Sequence, residues 1–244
     1  MKLSRKFYIF DMDGTLTKPT TQISRDMEDW LWRLARRASI IVISGATSEQ
    51  MEKQIQFREM WSENSYSIIK MSQSGNVCED DAKIIWENKL PILGRIAAYA
   101  HIHKLLNTFQ IPVLDQEDLV QDRGAQISYS ILGHHAPRED KCAMDPDGHL
   151  RREMLKHIPF NYPNMCVKVG GTTCFDYNDK DGTKAGNLRR LLKPADFKHA
   201  VYVGDQLYDG GNDSDVKKIE NLLTVPVTGP HETLTFIKKE LGVI

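Results

Sequence analysis

The sequence predicts an α/β fold in which a parallel β-sheet core is interrupted by an inserted α+β cap domain with an antiparallel sheet. Short apolar runs alternate with amphipathic helical segments, a pattern typical of parallel βαβ units. Three of these runs lead into a polar residue, and sites in such sheets lie beyond the carboxyl ends of the strands. Consecutive hairpin strands in the middle of the chain indicate an antiparallel sheet. We therefore predict a discontinuous core, residues 1–83 and 184–244, around an insertion at residues 84–183.

The composition argues against a nucleic-acid partner and against a membrane protein. The 244 residues include 32 Lys and Arg and 33 Asp and Glu, whereas nucleic-acid binders usually carry a basic excess. The apolar run at residues 7–10 is too short for a signal peptide or a membrane span. The four cysteines have no C-x-x-C spacing, so we expect reduced thiols in a cytoplasmic protein.

The first predicted strand leads directly into two carboxylates. Residues 7–10 are apolar or aromatic, and Asp11, Asp13 and Gly14 follow them. Side chains alternate along a strand, so Asp11 and Asp13 start on one side, and Gly14 lets the chain turn after them. Two crowded carboxylates repel each other unless a cation lies between them. We predict Mg²⁺, which prefers oxygen ligands and leaves room for water and phosphate.

Two simpler interpretations exist for this segment. A D-x-D-G sequence also occurs in ordinary turns and in calcium-binding loops. The spacing excludes the calcium loop, because Thr15 and Gln22 stand at loop positions five and twelve, where Asp or Asn and then Glu are required. An ordinary turn does not account for the polar residues that follow the other predicted strands.

A helix and two further strands complete the first part of the core. Apolar residues recur at helical spacing between residues 23 and 34, with Ser24 or Thr21 as the N-cap. Residues 40–43 and residues 67–71 predict the second and third strands.

Ser44 and Gly45 follow the second strand, and Thr47 begins a capping box that opens the next helix. A serine before a glycine is common turn chemistry. Ser44 nevertheless comes one βαβ unit after Asp11, and its hydroxyl is able to donate to a phosphate oxygen without adding charge. We therefore expect Ser44 at the same edge of the sheet as Asp11.

The insertion contains helical and strand patterns of a different kind. Its predicted elements are a helix at 92–106, an alternating strand at 125–132, a helix at 150–158, and a hairpin of 165–169 and 172–177 joined at Gly170-Gly171 by a primed turn. Hairpin strands pair antiparallel, so this part of the chain forms a separate sheet.

The last part of the chain returns to the core pattern. Its predicted elements are a helix at 188–192, a strand at 200–203, a strand at 222–227 and a helix at 234–241. The strand at 200–203 leads into Asp205, which we predict as a further magnesium ligand, with Asn212 or Asp213 supporting the metal. Lys184 begins the returning helix and would offset negative charge on a transferring phosphoryl group.

The segment from Asp11 to Thr17 resembles the first signature, D-x-D-G-T-L-T, of the haloacid dehalogenase-like (HAD) phosphotransferases, which have a Rossmann-like core. The resemblance implies that Asp11 is the nucleophile and that Asp13 is the general acid/base. It also implies a phosphate-binding group, which consists of Ser44, Gly45, Lys184 and Asn212 in this sequence.

Nearly the whole chain is similar to the eukaryotic-type phosphomannomutases, whose core is interrupted by an α/β (type IIB) cap. Residues 170–176 resemble their G-G-x-x-S-F-D strand, and residues 210–213 match their G-G-N-D loop. The resemblance implies that Asp176 holds sugar hydroxyls and that Arg123 holds a phosphate. It also implies a homodimer formed through the cap.

One departure from this family decides the activity that we expect. The chain has His134 where the family has Arg, and a mutase needs cations in the cap to hold a bisphosphate at both ends. We therefore expect a magnesium-dependent phosphatase that hydrolyses a small phosphorylated metabolite, in particular a sugar phosphate. The alternative is a phosphomannomutase that interconverts mannose 1- and 6-phosphate. A non-catalytic phosphate-binding module is a third interpretation, against which the intact set of acidic residues and Lys184 argues.

Overall fold

The computed structural model describes residues 6–56, 68–80, 83–113 and 115–244. The chain divides into two compact units, a first unit of Met1–Glu87 and Thr183–Ile244 and a second unit of Asn88–Gly182. The strands are β1 (Phe7–Asp11), β2 (Ser39–Ile43), β3 (Ile68–Ser72), β4 (Val77–Asp80), β5 (Lys83–Glu87), β6 (Val120–Asp122), β7 (Gln126–Ser130), β8 (Met165–Gly170), β9 (Cys174–Asp179), β10 (Ala200–Gly204) and β11 (Leu223–Pro226). The α-helices are α1 (Arg25–Ala35), α2 (Ser48–Gln54), α3 (Ile92–Phe109), α4 (Arg138–Met144), α5 (His149–His157), α6 (Lys184–Leu191) and α7 (Pro230–Glu240).

The first unit contains a seven-stranded sheet in the order β11-β10-β1-β2-β3-β4-β5. The strands from β11 to β3 pair in parallel, whereas β4 and β5 are antiparallel additions at one edge. Strand β1 lies between β2 and β10, so the segments that follow these three strands meet at one edge of the sheet.

The apolar runs are continuous because both faces of this sheet are covered. Tyr8 and Phe10 pack on one face, in a cluster that includes Leu31 of α1 and Ile237 of α7. Ile9, the residue between them, packs in the cluster on the other face with side chains of α6.

Local capping fixes where the helices of the first unit begin. The Ser24 side chain accepts from Met27 N at the start of α1, and Thr47 and Gln50 form the predicted capping box at α2. Thr183 accepts from Gly186 N and thereby places Lys184 in the first turn of α6.

The second unit is built on a four-stranded antiparallel sheet in the order β6-β7-β9-β8. Helices α3 and α5 contribute apolar side chains, among them Ile102 and Met154, to a core with Tyr129 and Phe175 of the sheet. The parallel core sheet and this separate antiparallel sheet confirm the predicted fold class.

Two local predictions differ from the structure. Residues 84–87, which we placed in the insertion, belong to β5 and pair with β4 in the sheet of the first unit. The predicted primed turn at Gly170-Gly171 is wrong, because Gly170 still pairs with Cys174 and the connection is the three residues 171–173. Among the helices that the structure describes, none has the length and apolar character needed to cross a bilayer.

Candidate active site

The segments that follow three neighbouring strands supply the candidate site of the first unit. Asp11 ends β1 and is paired with Ile43 of β2, the residue before Ser44. Asp205 follows β10, whose Val203 is paired with Phe10 of β1. Pairing therefore brings Asp11, Ser44 and Asp205 to one edge of the sheet, as the sequence predicts.

Three carboxylates of this unit converge. One oxygen from each of Asp11, Asp205 and Asp213 lies within 4.8 Å of those of the other two. Gly14 makes room for this cluster, because a Cβ at its position would stand 2.3 Å from Asp205 Oδ2. Gly14 also has φ +82°, a backbone conformation that residues with a side chain rarely adopt. Both the lack of space for a Cβ and this conformation therefore require glycine here.

Lys184 is the cation of the cluster. Its Nζ donates to Asp11 Oδ1 at 2.5 Å and to Asp213 Oδ1 at 2.6 Å, and all three side chains are buried. Burial raises the pKa of Asp11, and the adjacent ammonium acts against that shift. Burial alone would lower the pKa of Lys184, but the two carboxylates outweigh it and raise this pKa above its ordinary value. Lys184 is therefore a permanent positive charge.

The carboxylate cluster fits a divalent cation. Three carboxyl groups share one ammonium here, so ionisation of all three would leave buried negative charge without a compensating cation. Asp205 Oδ1 and Asp213 Oδ2 are buried oxygens without a hydrogen-bond partner, as expected for atoms that ligate a metal. Burial, together with the Asp213 charge, raises the pKa of Asp205 to about 6. An oxygen-only donor set of this kind suits Mg²⁺.

Asp13, which we predicted as a magnesium ligand, lies outside this group of three among the residues that the structure describes. Its Oδ1 accepts from Thr20 N at 2.8 Å, and the Gln54 amide, with its nitrogen toward Asp13, donates to the same oxygen at 3.0 Å. Partial burial raises the pKa of Asp13. A half-buried carboxyl of raised pKa suits proton transfer. Asp213 takes the place of Asp13 in the cluster.

The other predicted phosphate-binding residues lie in the same unit. Ser44 is buried, and its Oγ accepts from Ala46 N at 3.1 Å. A Cβ at Gly45 would meet no atom within 4 Å, so the backbone there is open on that side. Asn212 precedes Asp213, and its Oδ1 is buried without a partner. The structure gives no contact that joins Asn212 to Ser44.

The predicted sugar-binding residues come together within the second unit. Asp176 of β9 is paired with Ser128 of β7, and Ser128 Oγ donates to Asp176 Oδ1 at 2.7 Å. The Ser128 carbonyl oxygen is 3.1 Å from His134 Nε2, which donates to it. Ser128, which the sequence analysis did not identify, therefore joins Asp176 to His134.

The charges of two cations act on His134. Lys141 of α4 donates to the His134 carbonyl oxygen, and Arg123 donates to Gln121 and Gln126 with its two terminal nitrogens. Burial lowers the pKa of His134, and the charges of Arg123 and Lys141 lower it further. His134 is thus mainly neutral at pH 7, and the positive charge of this region comes from its neighbours. No sequence pattern marks Lys141, because a lone lysine is by default an exposed one.

Comparison with known proteins decides the family. The family model described as eukaryotic phosphomannomutase matches residues 27–242. The chain belongs to this family. It is 26% identical over 239 residues to the phosphomannomutase of Triticum aestivum, with 93% of this chain and 91% of the relative covered. It is 23% identical over 242 residues to the phosphomannomutase of Drosophila melanogaster, with 96% and 94% covered.

A solved structure gives the same fold. The N-terminally truncated, IMP-bound IMP-nucleotidase of Plasmodium falciparum superposes with a TM-score of 0.67 at 16% sequence identity, covering 98% of this chain and 68% of that chain. This likeness concerns the fold alone. With the family match, it confirms the resemblance to the HAD phosphotransferases.

The prediction of a phosphatase is wrong. The matching family and the curated relatives are phosphomannomutases, which was the alternative. The prediction depended on the missing Arg at position 134, taken as a loss of positive charge in the insertion. Lys141 stands next to His134 and retains a cation there, and Arg123 adds a second one. One substitution was therefore a weak basis for changing the reaction.

Proposed function

We propose that this protein is a magnesium-dependent phosphomannomutase that interconverts mannose 1-phosphate and mannose 6-phosphate through an aspartyl-phosphate on Asp11. The observation that carries the proposal is the buried contact of Asp11 with Lys184 beside two further carboxylates, in a chain that belongs to the phosphomannomutase family. A carboxylate next to a fixed cation is an arrangement suited to attack on an anionic phosphoryl group.

The first half-reaction transfers a phosphoryl group to the protein. An oxygen of Asp11 bonds to the phosphorus of a hexose bisphosphate while the bond from phosphorus to the sugar oxygen breaks. Asp13 gives its proton to that leaving oxygen, a role that its raised pKa supports. Lys184 offsets the repulsion between the nucleophile and the phosphate.

The second half-reaction returns the phosphoryl group to a different hydroxyl. Asp13, now ionised, takes the proton of that hydroxyl as its oxygen bonds to phosphorus, and the bond to Asp11 breaks. The product is again a bisphosphate, which re-enters the first half-reaction in the opposite orientation. The two phosphates thus exchange roles, and the monophosphate isomers interconvert.

Residues of the first unit would hold the metal and the phosphate. We assign Asp11, Asp205 and Asp213 to Mg²⁺, with Asn212 in support. Three of these residues, Asp205, Asn212 and Asp213, have a buried side-chain oxygen without a hydrogen-bond partner. The bound ion would supply positive charge that favours the ionised form of Asp11 and the charge of the transferring phosphoryl group. Ser44, Gly45 and Lys184 would hold the phosphate oxygens.

Residues of the second unit would recognise the rest of the substrate as the cap of this enzyme. Asp176 is an acceptor for sugar hydroxyls, and Ser128 fixes one of its oxygens so that the other remains available. Arg123 and Lys141 supply the charge for the second phosphate, and His134 is a neutral hydrogen-bonding neighbour. A bisphosphate intermediate requires groups of both kinds, some for its sugar hydroxyls and some for its second phosphate.

A homodimer formed through the second unit is part of this proposal. Helix α3 exposes four large apolar side chains at helical spacing: Ile92, Leu93, Ile96 and Tyr99. Light scattering after size exclusion should give the mass of two chains, and the variant Ile96→Glu should give one. A wild-type protein that elutes as a monomer at micromolar concentration would contradict the dimer.

The activity is tested by following mannose 1-phosphate in the presence of Mg²⁺ and a catalytic amount of a hexose 1,6-bisphosphate. We expect mannose 6-phosphate to form, with little inorganic phosphate. Omission of the bisphosphate should slow the reaction strongly. Isomer formation that needs neither bisphosphate nor Mg²⁺ would contradict the mechanism.

A further inference from the structure

The hydroxyl of Tyr202 reaches the carboxylate cluster from inside the sheet. Tyr202 is a residue of β10, fully buried, and is paired with Ile9 of β1 two residues before Asp11. Its side chain therefore lies on the same face as Asp11. The hydroxyl is 2.7 Å from Asp213 Oδ1 and 3.5 Å from Lys184 Nζ.

The direction of this hydrogen bond is fixed by its partners. An ammonium has no lone pair to offer, so the proton of the Tyr202 hydroxyl points to Asp213 Oδ1. Burial and the Asp213 charge raise the pKa of Tyr202 well above its ordinary value, which keeps it a donor. The hydroxyl and Lys184 thus both donate to one oxygen of Asp213, while the other oxygen receives no hydrogen bond.

Packing leaves the Asp213 carboxylate little freedom on the side of β10. Gly204, the residue two positions after Tyr202, lets the Asp213 carboxylate approach the backbone of β10 closely. A Cβ at Gly204 would lie 2.6 Å from Asp213 Oδ2 and 2.8 Å from the Tyr202 ring. The carboxylate is completely buried. What orients it within this space is the pair of donors on Oδ1.

We propose that Tyr202 is a positioning residue whose hydroxyl holds Asp213 Oδ1 and thereby presents Asp213 Oδ2 to the divalent cation. The inference rests on the proposed function, since it concerns the cation site of that enzyme. It also gives Lys184 freedom to follow the phosphoryl group, because Asp213 keeps one donor when the ammonium turns toward substrate. Tyr202 itself touches neither substrate nor reacting atoms in this scheme.

The test compares Mg²⁺ binding by chelator-treated wild-type protein and its Tyr202→Phe variant, measured by isothermal titration calorimetry. The substitution removes one oxygen and keeps the ring that packs in the core. Loss of a group that orients a metal ligand typically costs about 10–100-fold in affinity, and we expect a Kd for Mg²⁺ raised by that factor. At saturating Mg²⁺, KM for the hexose phosphate should match that of wild type.

The matched control is Tyr8→Phe. Tyr8 is also a buried tyrosine of this sheet, and its hydroxyl donates to a carboxylate, that of Glu240, on the opposite face. The Mg²⁺ affinity of the Tyr8→Phe variant should stay within about twofold of wild type. This variant loses a hydrogen bond of the same kind, but one that does not involve Asp213. Equal Mg²⁺ affinity of Tyr202→Phe and wild type would overturn the inference.

A second comparison guards against misfolding of the single variant. In an Asp213→Ala background, which removes the acceptor of the Tyr202 hydroxyl, adding Tyr202→Phe should change Mg²⁺ affinity no further, because the hydroxyl acts through the Asp213 carboxylate. A further loss of affinity in the double variant would overturn the inference. A wild-type protein that binds Mg²⁺ but does not interconvert hexose phosphates would instead reject the proposed function, and the calorimetric comparison would still decide the role of Tyr202.

Discussion

The Lys184 ammonium donates to Asp11 Oδ1 at 2.5 Å, although the two residues lie 173 positions apart in the chain. The second unit, Asn88–Gly182, occupies most of that separation. The same ammonium donates to Asp213, so one cation links residues from both chain segments of the first unit. The candidate site therefore forms only when both segments have folded together.

Replacement of Asp11 by Asn should abolish turnover without loss of the fold. The amide keeps the shape but not the nucleophile, and we expect activity to fall by about 10⁴-fold or more. Burial raises the pKa of Asp11, so its ionised form opposes folding at neutral pH, and the melting temperature should not fall. Asp209→Asn changes an exposed carboxylate near the site and is the control. Near wild-type turnover of Asp11→Asn would remove Asp11 from the mechanism.

Replacement of Lys184 by Met should cost both stability and activity. Asp11 and Asp213 would remain buried without their cation, and breaking a buried ion pair costs about 3–5 kcal/mol. Loss of a charge that stabilises a transition state lowers kcat by about 10²–10³-fold. Urea unfolding and steady-state assays measure the two effects. Lys217→Met breaks only an exposed pair and should leave both unchanged; a Lys184→Met protein as stable as that control would contradict the prediction.

Replacement of Asp176 by Ala should separate sugar recognition from phosphoryl chemistry. A hydrogen bond to a charged group contributes about 1.5–3 kcal/mol, so kcat/KM for mannose phosphates should fall about 10–150-fold. The slow reaction with an aryl phosphate should stay constant, since that compound has no hydroxyls for Asp176 to hold. Asp181→Ala, which removes an exposed carboxylate, serves as the control. A parallel loss on both substrates would show that Asp176 acts through the fold.

His101 should make the second unit less stable in mild acid. Its Nε2 lies 2.8 Å from the Ile158 carbonyl oxygen, which only accepts, so Nε2 carries the proton and Nδ1 accepts from Tyr177. Burial lowers the pKa of His101 below 6.5. The unfolded chain thus binds a proton more readily. The stability is fully present above the unfolded pKa of about 6.5 and is lost as pH falls from there through the lower pKa of the folded state.

The dependence of the unfolding free energy on pH is measured by urea unfolding at several pH values between about 5 and 8. We expect His101→Gln to flatten the dependence of the unfolding free energy on pH, and His103→Gln, an exposed change on the same helix, to leave it as in wild type. Identical slopes for His101→Gln and wild type would show that another group controls acid stability.

The part of the fold that the sequence predicted best is the part covered on both faces. The runs at residues 7–10, 40–43 and 200–203 are continuous because helices cover each side of the sheet. The strands β4 and β5 were missed because neither is a continuous buried apolar run. Strand β4 ends in two acidic residues, and β5, which is the edge strand, is mostly exposed. The connection of β8 and β9 was misassigned because a glycine pair does not fix where strand pairing ends.

The candidate site was predictable where its residues come directly after a predicted strand. Asp11, Ser44 and Asp205 each follow a strand, and these strands prove to be neighbours in the parallel part of the sheet, so their carboxyl ends meet at one edge. Asp13 lies outside the carboxylate cluster and accepts from Thr20 N, whereas Asp213, from a later loop of the chain, lies within the cluster. Tyr202 is hidden in an apolar run, where nothing in the sequence marks its hydroxyl.

The central claim is that Asp11 passes a phosphoryl group between two sugar hydroxyls. The most direct measurement incubates the protein with Mg²⁺, unlabelled mannose 1-phosphate and a hexose 1,6-bisphosphate carrying ³²P, and follows where the label goes. The account predicts that label enters mannose 6-phosphate at the rate of turnover while inorganic phosphate stays nearly unlabelled. Label that accumulates in inorganic phosphate at that rate, with no labelled hexose monophosphate, would contradict it.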